Sequence, residues 1–207
     1  MIYEPTLNEL TQLKRKYFIT VLTKNGNIKK LDIEDFLSVP PSGIIYIKLD
    51  PEDYVCDVTP IAHDLDIIVY SKNKALRMNL SEVPHQRRNT KGMRAITEPQ
   101  VDGLSVIYPD TTDLITITES GYVNRSSIYS LPCMGRNKAG SKVIKLHAKD
   151  SIKCIFGLNE NNGIKIITKN DRFEMPLSEI ELGSSASVGK KLIPLKNDNI
   201  IKCQIIK

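Results

Sequence analysis

A four-fold internal repeat constrains this chain more than any other feature of its sequence. The repeat is marked by glycines at Gly43, Gly92, Gly140 and Gly189. The spacings between them are 49, 48 and 49 residues, and an isoleucine follows each glycine four positions later. Repeats of this length predict structural units that bury their apolar faces only by stacking against neighbouring units.

A second landmark keeps the same period. A short apolar strand runs into a two-residue turn and out again after a hydroxyl residue at Thr23, Ser71, Thr118 and Thr168, with spacings of 48, 47 and 50 residues. The turns read Lys-Asn-Gly, Lys-Asn-Lys, Glu-Ser-Gly and Lys-Asn-Asp, and such residues tolerate the positive φ of tight turns. Each unit therefore contains a β-hairpin.

The fold class predicted from these signals is all-β, with about four propeller-like blades of four antiparallel strands in an open or closed ring. Residues 1–16 are predicted to be an N-terminal tail or linker and residues 17–207 the repeat domain. Its units are expected at approximately 17–65, 66–112, 113–161 and 162–207, each forming one blade. In the first unit, the segment Ile44–Leu49 after the landmark glycine is predicted to be a strand.

The formal net charge of +5 is unevenly divided among the units. Residues 1–65, the first unit together with the tail before it, carry 7 Lys and Arg against 10 Asp and Glu, a net of −3, whereas the other three units carry +2, +3 and +3. Such asymmetry fits a polyanionic partner for the later units, although a solvated surface would give the same count.

The cations concentrate in the loops that end at the landmark glycines. The loop His85–Gly92 is the richest, reading His-Gln-Arg-Arg-Asn-Thr-Lys-Gly. Because loops on a rigid scaffold carry function, we expect these loops to line one rim as a positive track for phosphate groups. The candidate contact residues are Gln86, Arg87, Arg88, Lys91, Gly92, Arg94, Arg136, Lys138, Lys142, Lys190 and Lys191, with Arg77 and Arg125 as weaker candidates.

Other classes of function find little support. No apolar run approaches the roughly 18 residues that a membrane span requires, which favours a soluble, cytoplasmic chain. The four cysteines lack metal-ligand spacing and are expected to be small buried residues. His63, His85 and His147 are far apart in sequence, and no phosphate-binding glycine motif is present, so we expect no catalytic site, no metal site and no cofactor.

These motifs resemble the C-terminal β-pinwheel domain of type IIA bacterial topoisomerases, found in the A subunit of gyrase and in its topoisomerase IV counterpart. The resemblance covers residues 17–207 and is strongest at Gln86-Arg-Arg-Asn-Thr-Lys-Gly92, which is similar to the seven-residue gyrase box Gln-Arg-Arg-Gly-Gly-Arg-Gly. Asn89 and Thr90 replace two glycines of the box, and four units are visible where family members usually have five or six.

The resemblance implies a β-pinwheel that binds double-stranded DNA without sequence specificity and bends or wraps it around a basic rim. It also implies a partner, the catalytic core of an ATP-dependent type IIA topoisomerase, in the same chain or a separate one. The domain itself would be non-catalytic. Two alternatives stay open: a small propeller that serves as a protein-interaction scaffold, and a free-standing DNA-bending protein.

Overall fold

The computed structural model describes residues 17–62, 65–185 and 187–206. The predicted tail, residues 1–16, and His63 lie outside these ranges. Within them, no helix is long and apolar enough to cross a membrane. All regular structure is β-strand apart from four short 3₁₀ turns at Ile33–Phe36, Leu80–Glu82, Ile128–Ser130 and Leu177–Glu179.

Each repeat unit supplies a hairpin and a third strand on its inner side. The hairpin strands are β1 (Tyr17–Thr23) and β2 (Asn27–Asp32), β4 (Asp66–Tyr70) and β5 (Ala75–Asn79), β8 (Asp113–Thr118) and β9 (Tyr122–Ser127), and β11 (Gly163–Thr168) and β12 (Arg172–Pro176). The inner strands are β3 (Val55–Ala62), β7 (Gly103–Ile107), β10 (Ile152–Leu158) and β14 (Ile200–Ile206). Two further short strands are β6 (Met93–Arg94) and β13 (Lys190–Lys191).

The strands form four separate antiparallel sheets, which confirms the all-β, four-bladed prediction. Their orders are β3-β1-β2-β6, β7-β4-β5, β10-β8-β9-β13 and β14-β11-β12. The inner strands of neighbouring blades contact one another, so they lie nearest the common axis. No sheet joins the first blade to the fourth within the described residues, and the array is therefore an unclosed β-pinwheel.

The outermost strand of a blade comes from the following repeat unit. β6, which follows Gly92, pairs with β2 of the first unit, and β13, which follows Gly189, pairs with β9 of the third unit. In the second blade this strand is reduced to a bridge between Ala75 and Ser141. A blade is thus completed by its neighbour, which ties successive units together by backbone hydrogen bonds.

The predicted strand Ile44–Leu49 is not a strand in the structure. In the second and fourth units the residues after the landmark glycine become a strand, and in the third they form a single bridge, because they meet the outer edge of the preceding blade. No such edge contacts the first unit within the described part of the chain. Instead, Ile47 packs on Val21 and Leu31 at the open face of the first blade.

The landmark isoleucines explain the period in energetic terms. Ile96, Ile144 and Ile193 are at most 2% exposed, and each is part of a cluster that joins two adjacent blades. Burying one such side chain contributes about 1.5–3 kcal/mol. The three apolar clusters between blades therefore hold the array together.

The hairpin landmark also has a structural cause. The hydroxyls of Thr23, Ser71, Thr118 and Thr168 each accept a hydrogen bond from a backbone N–H across the turn. The positive φ that tight turns favour occurs at Gly26 and Gly121, with φ of 79° and 84°. The turns of the second and fourth units contain no residue with a positive φ.

Candidate functional site

The loops that end at Gly92, Gly140 and Gly189 occupy equivalent places on the outer edges of the first three blades. At the start of each loop, a backbone N–H donates to the carbonyl of the preceding blade's second hairpin strand. These bonds are Gln86 N to Lys30 O (3.1 Å), Met134 N to Arg77 O (2.8 Å) and Gly183 N to Arg125 O (2.7 Å). The loops thus share one rim, as the repeat predicted.

A second set of bonds links each loop to the preceding one along this rim. In every case the N–H five residues after a landmark glycine donates to the carbonyl two residues before the next. The pairs are Lys48 N to Thr90 O (3.0 Å), Thr97 N to Lys138 O (3.1 Å) and Lys145 N to Ser187 O (2.9 Å). The rim is therefore a continuous hydrogen-bonded belt of loops rather than a set of independent ones.

Three of the four landmark glycines are required by close contact at this belt. An added Cβ would lie 2.9 Å from the carbonyl oxygen of Ile28 at Gly92, 2.9 Å from that of Ala75 at Gly140, and 2.5 Å from that of Val123 at Gly189. These distances leave no room for a side chain. Glycine allows each loop to cross the outer strand of the preceding blade closely enough to form the belt.

The loop Gln86–Gly92 is held from beneath by a buried lysine. Lys29 is fully buried, and its Nζ donates to the carbonyl oxygens of Arg87 (3.1 Å) and Thr90 (3.2 Å) and to Thr90 Oγ1 (3.2 Å). Thr90 Oγ1 also lies 3.0 Å from Gln86 Oε1. Burial lowers the pKa of the Lys29 ammonium below its usual value, and the nearby Asp35 carboxylate partly opposes this effect.

Asn89 supplies the backbone freedom that the missing glycine would give. Its φ is +58°, and Asn137 at the equivalent position of the next loop has the same value. Asparagine enters the left-handed region at small cost, whereas a β-branched residue such as Thr90 does not. Thr90 keeps a negative φ and uses its hydroxyl as a fixed internal contact. The loop is therefore ordered by specific bonds.

The candidate cations fall into two groups according to their partners. Arg88, Lys91 and Lys190 face the carboxylates of Asp35, Asp50 and Glu181 respectively, all at exposed sites. Exposed pairs of this kind contribute about 0–1 kcal/mol, so an incoming phosphate can replace the carboxylate. At Glu181, the hydrogen bond from Lys190 lowers the pKa of the carboxyl group.

The remaining candidates point into solvent or against backbone. Arg87, Lys138 and Lys142 are exposed, and no side-chain hydrogen bond or ion pair engages them within residues 17–62, 65–185 and 187–206. Arg94 donates to the carbonyl of Glu98 (2.8 Å), and Lys191 lies 5.7 Å from the ring centre of Tyr122. Arg87, Lys138 and Lys142 are thus the cations best placed to meet an anion directly.

Arg136 is more firmly bound than its loop position suggested. Its guanidinium donates to the carbonyls of Glu82 (3.2 Å) and Arg94 (2.9 Å), which belong to the preceding unit. Gln86 and Gly92 likewise take part in the loop's own structure through the contacts described above. Arg136, Gln86 and Gly92 therefore shape the rim, because each is held by contacts within it.

Arg77 and Arg125 hold adjacent blades together. Arg77 bonds Asp66 (2.7 Å) and the carbonyl of Ile128 (3.4 Å), whereas Arg125 bonds Asp113 (2.8 Å) and the carbonyl of Leu177 (3.0 Å). Lys30 makes the same type of bond to the carbonyl of Leu80 (3.2 Å). In each case the cation lies three residues before the 3₁₀ turn of its own unit and donates to a carbonyl in the 3₁₀ turn of the next unit. Because their carboxylate partners are partly buried, Arg77 and Arg125 stabilise the contact between blades.

Several contributors to the rim were missed from the sequence. Lys29 and Asn124 each bond the next unit's loop from below, Asn124 through the carbonyl of Ser184 (3.1 Å). Lys48 and Lys145 are exposed and join the belt through their own N–H groups. The available signal was positional: Lys29 and Asn124 lie four residues before a 3₁₀ turn, and Lys48 and Lys145 lie five after a landmark glycine.

The cysteines give no sign of a reactive or metal-binding site. Cys154 is buried, Cys56 and Cys203 are half-buried, and Cys133 is exposed, so the expectation of burial is wrong for Cys133. Burial, with a smaller effect of Asp57, raises the pKa of Cys56 to about 11. Cys133 lies at the start of the third unit's loop, on the rim itself.

Comparison with known proteins agrees with this architecture. The sequence profile of the family described as "DNA gyrase C-terminal domain, beta-propeller" matches residues 18–61, 71–102, 112–153 and 175–207. The gyrase A protein of Haloquadratum walsbyi is 30% identical over 146 residues, which cover 68% of this chain and 17% of that protein. The gyrase A protein of Borrelia hermsii is 23% identical over 202 residues, covering 94% of this chain and 25% of that protein.

Solved structures show the same fold. The C-terminal domain of a DNA topoisomerase IV superposes with a TM-score of 0.84 at 17% identity, covering 93% of this chain and 62% of that one. A DNA gyrase A C-terminal domain gives a TM-score of 0.80 at 20% identity, covering 92% and 66%. The chain spans a quarter or less of the length of the two gyrase A proteins.

Proposed function

The chain belongs to the family of DNA gyrase C-terminal domains, and we propose that it binds duplex DNA without sequence preference and bends it around the loop belt. The observation that carries the proposal is the belt itself. Three successive loops lie on one rim and are joined by equivalent hydrogen bonds, and exposed cations project from them. The arrangement suits a ligand that presents regularly spaced negative charge along a curved path.

The phosphate backbone would supply most of the binding free energy. Arg87, Lys138 and Lys142 are exposed without side-chain partners in the described residues, and Arg88, Lys91, Lys190, Arg94 and Lys191 are available by exchange of weak partners. Each phosphate that is neutralised releases counterions, so affinity falls steeply as salt rises. None of these contacts depends on base identity.

Bending is supported by the order of the loops. Because Lys29 and Asn89 fix the loop Gln86–Gly92, the contact groups do not have to be ordered when DNA binds. Bending 20–30 base pairs by 40–90° costs about 1–6 kcal/mol, which several phosphate contacts from successive blades can offset. The rigid loop and the open array favour a smooth bend over a full wrap.

We further propose that the domain acts without a catalytic site of its own and serves the core of a type IIA topoisomerase. Its family membership supports this role. Strand passage would occur on the core, and this domain would present a bent DNA segment to it. Such a role implies a cytoplasmic location.

A charge-matched comparison tests the proposal. The rim variant replaces Arg87, Lys138 and Lys142 by alanine, and the control variant replaces Lys72, Lys169 and Lys202, which are exposed on hairpin turns and on the inner strand β14. Binding to several unrelated duplexes is measured by fluorescence anisotropy from about 50 mM salt upwards. The slope of log affinity against log salt should fall by about 0.9 for each phosphate contact removed in the rim variant.

Both variants lose the same charge, so a general electrostatic effect would weaken them equally. Equal loss in the two variants, or no binding of the unaltered chain at the lowest salt, would contradict the proposal. Bending is measured separately by the ligation of short duplexes into circles. The unaltered chain should increase circle formation, and the rim variant should not.

A further inference from the structure

The outer edge of the fourth blade is unoccupied in the described part of the chain. In the first three blades the outer strand receives a segment from the next repeat unit, whereas β12 pairs only with β11. Thr168 N donates to the carbonyl of Asp171 (2.9 Å), so Thr168 and Asp171 form the hydrogen-bonded pair that closes the hairpin. The next residue, Arg172, therefore directs its N–H and C=O outward. A free edge of this kind is a template for another strand.

The first unit holds a segment that matches this edge and that pairs with no strand among residues 17–62, 65–185 and 187–206. Residues Ile44 and Ile45 correspond to the edge-pairing residues of the later units, and Ile45 is 66% exposed. Gly43 has a φ of +78°, like Gly92 and Gly189. A Cβ built on Gly43 meets no atom within 4 Å, whereas those built on the other landmark glycines meet a carbonyl oxygen at 2.9, 2.9 and 2.5 Å. The space next to Gly43 is thus open where the outer strand of a preceding blade lies against the other three glycines.

Charge favours the meeting of these two ends. Residues 1–65, the first unit with the tail before it, have a formal net charge of −3, and the fourth unit, residues 162–207, has +3. The first unit also exposes Leu37, Val39 and Leu49 near the unpaired segment. Opposite charge accelerates encounter, and apolar contact then stabilises it.

We propose that the segment Gly43–Ile45 of one copy pairs with the edge of β12 in a second copy, giving head-to-tail association. The register follows from the first blade, where Ile28 pairs with Met93 and Asn27 with Arg94. By position, Ile44 faces Arg172 and Ile45 faces Asp171 of the second copy. Because the two surfaces differ, the contact is heterologous and builds open chains or a ring of copies.

The contact is weaker than the junctions inside the chain. In the first three blades, a cation three residues before the 3₁₀ turn bonds the next unit's 3₁₀ turn. The fourth blade has Glu174 at this position, paired with Lys165 at 2.6 Å. A carboxylate cannot donate to a carbonyl, so one junction contact is missing. Association should therefore be reversible and dependent on concentration.

Two variants block the two ends separately. Gly43→Asn keeps the positive φ, which Asn89 and Asn137 also adopt, but adds a Cβ that would clash with the Arg172 carbonyl of the second copy. Arg172→Pro removes the outward N–H of β12 without removing a hydrogen bond of its hairpin. Sedimentation velocity without DNA is measured on the unaltered chain, on each variant and on their equimolar mixture.

The unaltered chain should show a mass that rises above the monomer value of 23.3 kDa as concentration increases. Each variant alone should remain a monomer. The mixture should form a dimer, since Arg172→Pro keeps an unaltered Gly43–Ile45 segment and Gly43→Asn keeps an unaltered β12 edge. Dimer formation also shows that both variants are folded. The proposal is overturned if the unaltered chain is a monomer at all concentrations, as intramolecular pairing of the two ends would give. It is also overturned if both variants still associate on their own. The result is independent of DNA binding.

Discussion

Replacing the buried Lys29 tests whether the order of the loop, rather than charge alone, sets the affinity for DNA. In the variant Lys29→Met a side chain of similar length fills the same space but cannot donate a hydrogen bond. The carbonyls of Arg87 and Thr90 then lose their common donor. We expect the loop Gln86–Gly92 to sample several conformations while the apolar clusters between blades stay intact.

The size of the effect follows from these contacts. Hydrogen bonds to a charged group contribute about 1.5–3 kcal/mol, but methionine also avoids the cost of burying an ammonium group. The free energy of unfolding should therefore change by less than the bond energy alone suggests. The loop, however, must be reordered when DNA binds. If reordering costs about 1.4 kcal/mol, the dissociation constant rises about tenfold.

Salt dependence separates this mechanism from the loss of a phosphate contact. Lys29 is fully buried, so its removal should leave the slope of log affinity against log salt unchanged. Arg87→Ala should lower that slope by about 0.9, because Arg87 is exposed and meets phosphate in the proposal. Lys202→Met on β14 is the control for loss of one positive charge.

Limited proteolysis reports the loop directly. Trypsin cleaves after Arg87, Arg88 and Lys91, and mass spectrometry identifies the sites. Cleavage there should be faster in Lys29→Met than in the unaltered chain and equally slow in Lys202→Met. The reasoning fails if Lys29→Met binds DNA with unchanged affinity, or if its salt slope falls as much as that of Arg87→Ala.

Four further predictions concern stability and thiol chemistry. Arg125→Met should lower the free energy of unfolding by about 2–3 kcal/mol, because Asp113 and two carbonyls lose their donor. Arg94→Met should lower the free energy of unfolding by under about 0.5 kcal/mol. Urea unfolding of the two variants measures the difference. Gly189→Ala places a Cβ 2.5 Å from the Val123 carbonyl and should lower the melting temperature far more than Gly43→Ala, which has the same sign of φ and open space. Cys133 should be the first thiol to react with a thiol reagent and should be protected by DNA, whereas Cys56, with a pKa of about 11, should react only slowly at pH 8. Since folded Cys56 keeps the proton that the unfolded chain loses near pH 9, its contribution to stability should fall as pH rises from 9 towards 11, and Cys56→Ala should reduce that fall.

Much of the fold was predictable because its signals are local and repeated. The hydroxyl residues before the turns bond across them, and three of the four landmark glycines, Gly92, Gly140 and Gly189, lie where a Cβ would clash. Each of these requirements acts on one residue type at one position, so it leaves a periodic trace. A further trace was overlooked: Asp53, Asp150 and Asp198 each accept a hydrogen bond from a hairpin turn N–H, 48 or 97 residues apart.

The candidate site was predictable only in part. Arg87, Lys138 and Lys142 are exposed on the rim as a basic loop suggests, but Arg77, Arg125 and Arg136 are engaged by carbonyls of other units. A lysine or arginine in a sequence carries the same charge in either setting. What separates the two is whether another segment brings acceptor oxygens within about 3 Å.

By itself, therefore, the sequence determined the number of units, the position of the hairpins and the placing of the basic loops, since each depends on local turn geometry and on a repeated residue. Only the tertiary structure decided that the segments after Gly92, Gly140 and Gly189 complete the preceding blade, that Lys29 is buried, and that β12 pairs only with β11 among the described strands. The physical reason is that equivalent repeats offer equivalent edges: alternation along a strand defines its two faces but not the strand beside it.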